Sequence, residues 1–377
     1  MSKNLKLKGI IRNINYDPQV RTKPLERVPF DGFDINSAPA SGILEFADDI
    51  SFGYSKWNTP KLSRTYPSAR IYRTYHLQSK RVTVIPVIKD EGKNSPNNDR
   101  ISSMILARMN LMGIYIILAW YERAEPHPTR ANRTTDHFFN NEFVLERIRE
   151  ITRAQKSALH WNMMHFERDF EYVYRQAVES YQSVGKRYGL QMHSAEDHLA
   201  ILEQYLVDGK FNLEAFARFS SARSSAAAKR EAMTTQDLEE LLDGDKAYVE
   251  LENIQGGIYH LTADEVYWEE GRLVIQESKN TTKGKIPSLG DVQDGLCKNI
   301  LFYSIDELYI GGEPIDFVTR IKLTGNIEGR LRLPAEVALV EEFVRANKFT
   351  RATRNNLLLY NIETTEHPGL SIEIAGN

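Results

Sequence analysis

Two strand-like runs, Ile258 to Trp268 and Arg272 to Asn280, flank Glu270-Gly271, where a two-residue hairpin turn is expected. So short a turn leaves little freedom in how the strands pair. With Glu270 and Gly271 as its central residues, Glu269 faces Arg272 and, further along, Asp264 faces Glu277. Opposed residues on one face have Cβ atoms about 4.5–5.5 Å apart. Side chains alternate with period two, so Lys279 shares the face of Glu277. Leu273, Ile275, Val266 and Trp268 continue that face toward an apolar core. The hairpin leads from a core to two carboxylates and a lysine.

Two carboxylates at that separation repel one another unless a cation lies between them. A hard divalent cation suits them, and magnesium commonly takes one or two carboxylates plus substrate phosphate. The expected metal ligands are Asp264, Glu277 and the backbone carbonyl of Ser278. The same set suits phosphodiester hydrolysis, in which a metal polarises the phosphoryl oxygen and activates water. Lys279 would orient or activate that water, or stabilise charge on the phosphate. An acidic residue two before a lysine is common on surface hairpins, where it makes a salt bridge and nothing more. The apolar run Leu273 to Ile275, the opposed Asp264 and the order of the surrounding elements favour the chemical reading.

From Thr234 that order reads helix, strand, strand, strand, helix, strand. The segments are Thr234 to Leu242, Ala247 to Asn253, the two hairpin strands, Pro287 to Tyr303 and Asp316 to Leu323, with a last helix from Pro334 to Asn347. This is an α/β layer around a mixed sheet. Upstream, the chain to about Asp99 reads as short strands and loops, with Arg81 to Ile88 its clearest strand. A helix is expected from Ile101 to about Glu125, ended by Pro126 and Pro128. Asn141 is the expected cap of a long helix running toward Gly189, and Ser194 with Asp197 resembles a capping box for a helix ending near Gly209. Four regions result. Residues 1–100 are strand-rich with candidate DNA contacts, 101–233 are helical, 234–325 form a catalytic core, and 326–377 add a helix and strand that pack on it.

With 377 residues, 41% of them hydrophobic and 26% charged, the chain has the makings of one large domain or two ordinary ones. A net charge of −3 excludes a basic nucleic-acid coat, so any DNA binding must come from local clusters. The lone Cys297 excludes an internal disulfide framework and a Cys-based zinc cluster. Together with a polar, basic start from Met1 to Lys8, this points to the cytoplasm. The most apolar stretch, Leu111 to Tyr121, is far short of the roughly 20 residues a helical span needs and reads as a buried helix. Neither a membrane nor an organic cofactor is expected.

Asp264 followed by Glu277-Ser278-Lys279 resembles the Asp…(Asp/Glu)-x-Lys signature of the PD-(D/E)XK nuclease superfamily, over roughly Thr234 to Leu323. The segment Ile286 to Lys298 resembles a stretch that follows the catalytic strand in some type II restriction endonucleases, and Ile85 to Gly92 with Asp99-Arg100 is also similar to such enzymes. One departure is Ala263, where the family often has proline before the first aspartate. The resemblance implies a mixed central sheet flanked by helices, with a large helical insertion and a strand-rich N-terminal region. It also implies a Mg²⁺-dependent type II restriction endonuclease that cuts a short double-stranded DNA sequence, as a homodimer. A repair or recombination nuclease on the same core, or a non-catalytic DNA-binding protein, is the alternative. The family can carry a further glutamate, for which Glu239, Glu240 and Glu252 are candidates. Glu265 points to the opposite face from Asp264 and ranks below it.

Asp291, Asp294 and Lys298 fall on nearly one helical stripe. Asp291 also fits a capping box with Ser288, and Gln293 and Lys298 are candidates to reach phosphates. From Ser51 to Lys89 the chain has no acid, and its bases Lys56, Lys61, Arg64, Arg70, Arg73, Lys80, Arg81 and Lys89 are interleaved with Tyr54, Trp57, Tyr66, Tyr72 and Tyr75. Such a segment suits a phosphate backbone. Arg223, Lys229 and Arg230 form a weaker patch, and Lys89-Asp90-Glu91 reads as a turn that shapes the DNA cleft or the dimer. His160, Asn162 and His165 resemble a metal-binding nuclease motif, but His160 and His165 fall on different helical faces and read as core or surface residues. Gly113-Ile114-Tyr115 and Tyr309-Ile310-Gly311 spell halves of another nuclease signature, too far apart in the chain to act together.

Overall fold

In a computed structural model, residues 5–21, 24–47, 50–61, 67–95, 98–219, 245–253 and 258–377 are described. The expected helix Thr234 to Leu242, the patch Arg223, Lys229 and Arg230, and the candidates Arg64, Glu239 and Glu240 lie outside the described residues. The chain divides into two compact units, one of residues 1–24, 68–76 and 241–377, the other of residues 25–67 and 77–240.

The first unit is a nine-stranded mixed sheet with helices. Its strands are β1 (Leu5–Ile11), β2 (Asp245–Asn253), β3 (Ile258–Glu269), β4 (Arg272–Asn280), β5 (Glu307–Ile310), β6 (Glu313–Pro314), β7 (Phe317–Gly325), β8 (Arg330–Leu333) and β9 (Leu370–Gly376). They lie in the order β6-β5-β1-β2-β3-β4-β7-β9-β8. Strands β2, β3 and β4 form an antiparallel meander, and β7 then joins β4 in parallel. A parallel return needs a crossover. Helix α2 (Leu289–Tyr303) supplies it and packs on β4 and β7, and its Val292, Leu296 and Ile300 are fully buried. Gly295 faces both strands, where a Cβ would meet Cε of Lys279 at 3.4 Å and Ile321 at 3.7 Å, ordinary contact distances.

Helix α1 (Pro67–Tyr75) and helix α4 (Arg351–Glu366) meet at a buried carboxylate. Glu363 accepts hydrogen bonds from the hydroxyls of Tyr16 and Tyr72 and from the backbone N–H groups of Gln19 and Val20. A buried charge is tolerated only when its lone pairs are this well filled. Helix α3 (Val337–Ala346) precedes α4 and ends near the expected Asn347, whereas α4, β8 and the β5–β6 hairpin add elements that the sequence pattern did not separate.

In the second unit the strands Arg27–Pro29, Ser41–Glu45, Ser51–Lys56, Arg81–Pro86 and Tyr115–Ala119 form one sheet in that order. The helix expected from Ile101 to about Glu125 is much shorter than that span. A helix spans only Ser103–Leu111, and Gly113, at φ 62°, turns the chain into strands Tyr115–Ala119 and Tyr121–Pro126. An apolar run of this length fits a fully buried strand as well as a helix, and its β-branched isoleucines favour the strand. The expected long helix is two, Asn141–Arg153 and Ala158–Tyr188, capped by Asn140 and Ser157. The second ends at Gly189 in the left-handed conformation. The helix Ala195–Glu203 is capped by Ser194 and stops short of Gly209.

Strand Tyr115–Ala119 is the edge of its sheet, and the long helix covers that edge. Asn162 accepts from the N–H of Ile116 at 2.7 Å, and Nε2 of His165 accepts from the N–H of Leu118 at 2.9 Å. Residues three apart on a helix thus match N–H groups two apart on a strand. Nδ1 of His165 lies 2.6 Å from Asp169, so both ring nitrogens are engaged. These residues hold backbone rather than metal. Among the described residues no helix is long and apolar enough to cross a membrane.

Candidate active site

Glu270 and Gly271 both have positive φ, 50° and 77°, the signature of a type I′ turn. The ladder then pairs Glu269 with Arg272, Val266 with Ile275 and Glu265 with Gln276, the register expected from the sequence. One step further, Asp264 and Glu277 come together. The Ser278 N–H donates to Oδ2 of Asp264 at 2.9 Å. In a strand the N–H and C=O of one residue point to the same side, so the Ser278 carbonyl is directed to the side of Asp264. Trp268, expected on the apolar face, is instead 60% exposed, because it stands at the tip of the hairpin. Glu265 is on the opposite face, buried and bonded to Gln276.

Helix α2 completes the cluster. Nζ of Lys298 forms an ion pair with Oε2 of Glu277 and lies 3.7 Å from Oδ1 of Asp264. Nζ of Lys279 lies 3.2 Å from Oε1 of Glu277 and 3.0 Å from Oδ2 of Asp294. The Glu277 side chain is only 6% exposed, whereas that of Asp264 is half-buried, at 41% exposed. Burial pushes the Glu277 carboxyl above the ordinary glutamate value, and neighbouring Asp264 adds to this against Lys298 and Lys279. For Asp264 burial acts in the same direction but is outweighed by Lys298, the Ser278 N–H and Lys279, so its carboxyl is held low. Lys279 stays above its ordinary value despite burial, because Glu277 and Asp294 flank it.

Of the further candidates, Lys298 joins the cluster and Gln293 does not. Gln293 is buried and donates to the Val20 carbonyl at 3.2 Å. Asp291 closes a capping box with Ser288. Glu252 pairs with Lys8 at 2.9 Å. It pairs with Ile258, six residues before Asp264, which puts it about 20 Å along the strand from Asp264. Asp294 is the residue that the sequence reading left without a role. Its signal was the helical stripe shared with Lys298.

The basic segment 51–89 is divided between the units. Arg70 and Arg73 are on α1, while Lys56, Lys61, Lys80 and Arg81 belong to the second unit. There Lys56 donates to the carbonyls of Ile35 (2.5 Å) and Asn36 (2.9 Å), and Lys61 pairs with Asp99 at 2.5 Å. Lys80 donates to the carbonyls of Ile151 (2.7 Å) and Ala154 (2.6 Å) at a helix C-terminus, and Arg81 reaches the Met112 carbonyl at 3.5 Å. Lys89 pairs with Glu91 at 3.0 Å. The intervening Asp90 is buried, 2.7 Å from Nδ1 of His193 and 3.3 Å from Nε2 of His198.

The donor set at the hairpin is all oxygen: two carboxylates from adjacent strands and a backbone carbonyl on the same side. That is the chemistry magnesium accepts, with its remaining positions left to water and phosphate. No cluster of three or more His, Cys, Asp or Glu ligands is found among the described residues. Comparison with protein-family models, curated proteins and solved structures gives no match to this chain.

Proposed function

We propose that this chain is a Mg²⁺-dependent endonuclease of the PD-(D/E)XK type, and specifically a type II restriction endonuclease acting on double-stranded DNA as a homodimer. One observation carries the reading. The hairpin brings Asp264 and buried Glu277 together with Lys279 beside them, on the strand that α2 joins to the parallel strand β7.

A magnesium ion bound there would supply Lewis-acid polarisation of the phosphoryl group. The protein's own part is to hold and orient. Asp264 and Glu277 present hard oxygen ligands, with Asp264 fixed by the Ser278 N–H. Lys279 lies between Glu277 and Asp294, where its side chain would orient the attacking water or stabilise charge on the phosphate. Asp294 is a positioning residue that keeps Lys279 on this side of the strand.

The test is digestion of mixed genomic DNA with Mg²⁺. Discrete fragments support the restriction reading. Nicking that depends on DNA structure would replace it with a repair or recombination nuclease, and metal-independent binding without cleavage with a non-catalytic DNA-binding protein.

A further inference from the structure

Lys298 stands where a divalent cation would stand. Its ammonium contacts Glu277 and lies 3.7 Å from Asp264, so one positive group bridges both carboxylates. Its side chain is only 14% exposed, which leaves it little water to exchange for these partners. The remaining oxygen of Glu277 is taken by Lys279, which Asp294 holds from the far side. Among the described residues three carboxylates therefore meet two ammonium groups, a formal surplus of one negative charge.

We infer that Lys298 is a built-in competitor for the metal: it holds the carboxylate pair together without a cation, and a divalent cation binds only by displacing it. This rests on the nuclease reading of the hairpin and adds regulation to it. The exchange reverses the sign of the site. Two further positive charges turn the surplus from one negative to one positive, and the displaced ammonium stays nearby on α2. Metal loading thus converts a site that repels a phosphodiester into one that attracts it.

The full-length protein is titrated with Mn²⁺ alone, without DNA, and free Mn²⁺ is read by electron paramagnetic resonance. Lys298→Gln is expected to bind Mn²⁺ at least tenfold more tightly than the parent, and Glu277→Gln to bind it more weakly. Equal or weaker binding by Lys298→Gln overturns the competition while leaving the nuclease reading intact. Absence of Mn²⁺ binding by parent and variant alike overturns both. A second measurement needs no variant. Acetylation of the parent with an amine-reactive ester, mapped by mass spectrometry, is expected to rise several-fold at Lys298 when Mg²⁺ is added. Unchanged or reduced labelling at Lys298 in Mg²⁺ overturns the displacement.

Discussion

Asp264 and Glu277 are chemically alike and adjacent, yet their surroundings drive them apart. Glu277 is buried between strand and helix, while Asp264 is half-buried, near Lys298, and takes a backbone N–H. Opposed shifts of this kind are typical of paired groups with separate tasks. Asp294 sets the position of Lys279, so on the proposed function Asp294→Asn lowers kcat by about tenfold or more with little change in KM, the scale of other outer positioning contacts. Steady-state kinetics on a single-site substrate reads that split, and a change in KM alone contradicts it. On the other face of the sheet Arg320 is fully buried, bonded to Tyr267 at 2.6 Å and to Glu269, which Arg332 also pairs at 2.6 Å. Hydrogen bonds from Arg320 and then Arg332 lower Glu269 from 4.5 to about 2, against partial burial. A depressed carboxylate stabilises the fold above its unfolded value and loses that contribution as the pH falls through its folded one. Glu269→Gln is therefore less stable than the parent at neutral pH, and the gap closes between about 4.5 and about 2. Urea midpoints across that window that keep a constant gap would contradict this.

At the scale of elements, the hairpin was legible because its chemistry is local. A two-residue turn fixes the register, and a period of two then assigns each side chain to a face. Glu270 bears the cost, since a side chain at φ 50° is disfavoured by about 1–2 kcal/mol. Glu270→Asn is predicted to raise stability by up to about 1 kcal/mol with the register unchanged, seen as a higher denaturation midpoint at constant slope. The stretch after Leu111 was misread because an unbroken apolar run carries no period. The left-handed Gly113 marked the change, and the partner that decides it, the long helix Ala158–Tyr188, lies further along the chain. The same distance hid the role of Asn162. Asn162→Ala leaves the Ile116 N–H buried without its acceptor and is expected to cost about 1–3 kcal/mol. A loss below a few tenths would mean that the edge strand finds another acceptor.

At the scale of the molecule, the mixed sheet with flanking helices was legible in the residue pattern but its extent was not. Strand β1 pairs in parallel with β2, Leu5 beside Ala247, and no local pattern encodes a partner so far away. The same fold places residues 68–76 with the first unit and the rest of the basic segment with the second. A run of like charge in sequence is therefore shared between two units, and Lys56 and Lys80 serve backbone carbonyls. Asp294 and Lys298 show the converse. Placed on a helix after the signature, they enter the cluster because α2 packs back on β4 and β7. On the proposed function, Asp264, Glu277 and Lys279 form a metal-dependent nuclease site. Its most direct test is incubation of purified protein with mixed-sequence duplex DNA, with and without Mg²⁺, alongside folded Asp264→Ala, Glu277→Ala and Lys279→Ala variants. Cleavage by the parent in Mg²⁺ alone, lost in each variant, is the predicted result. Failure of the parent to cut with Mg²⁺ or Mn²⁺, or full cleavage by the variants, would contradict it.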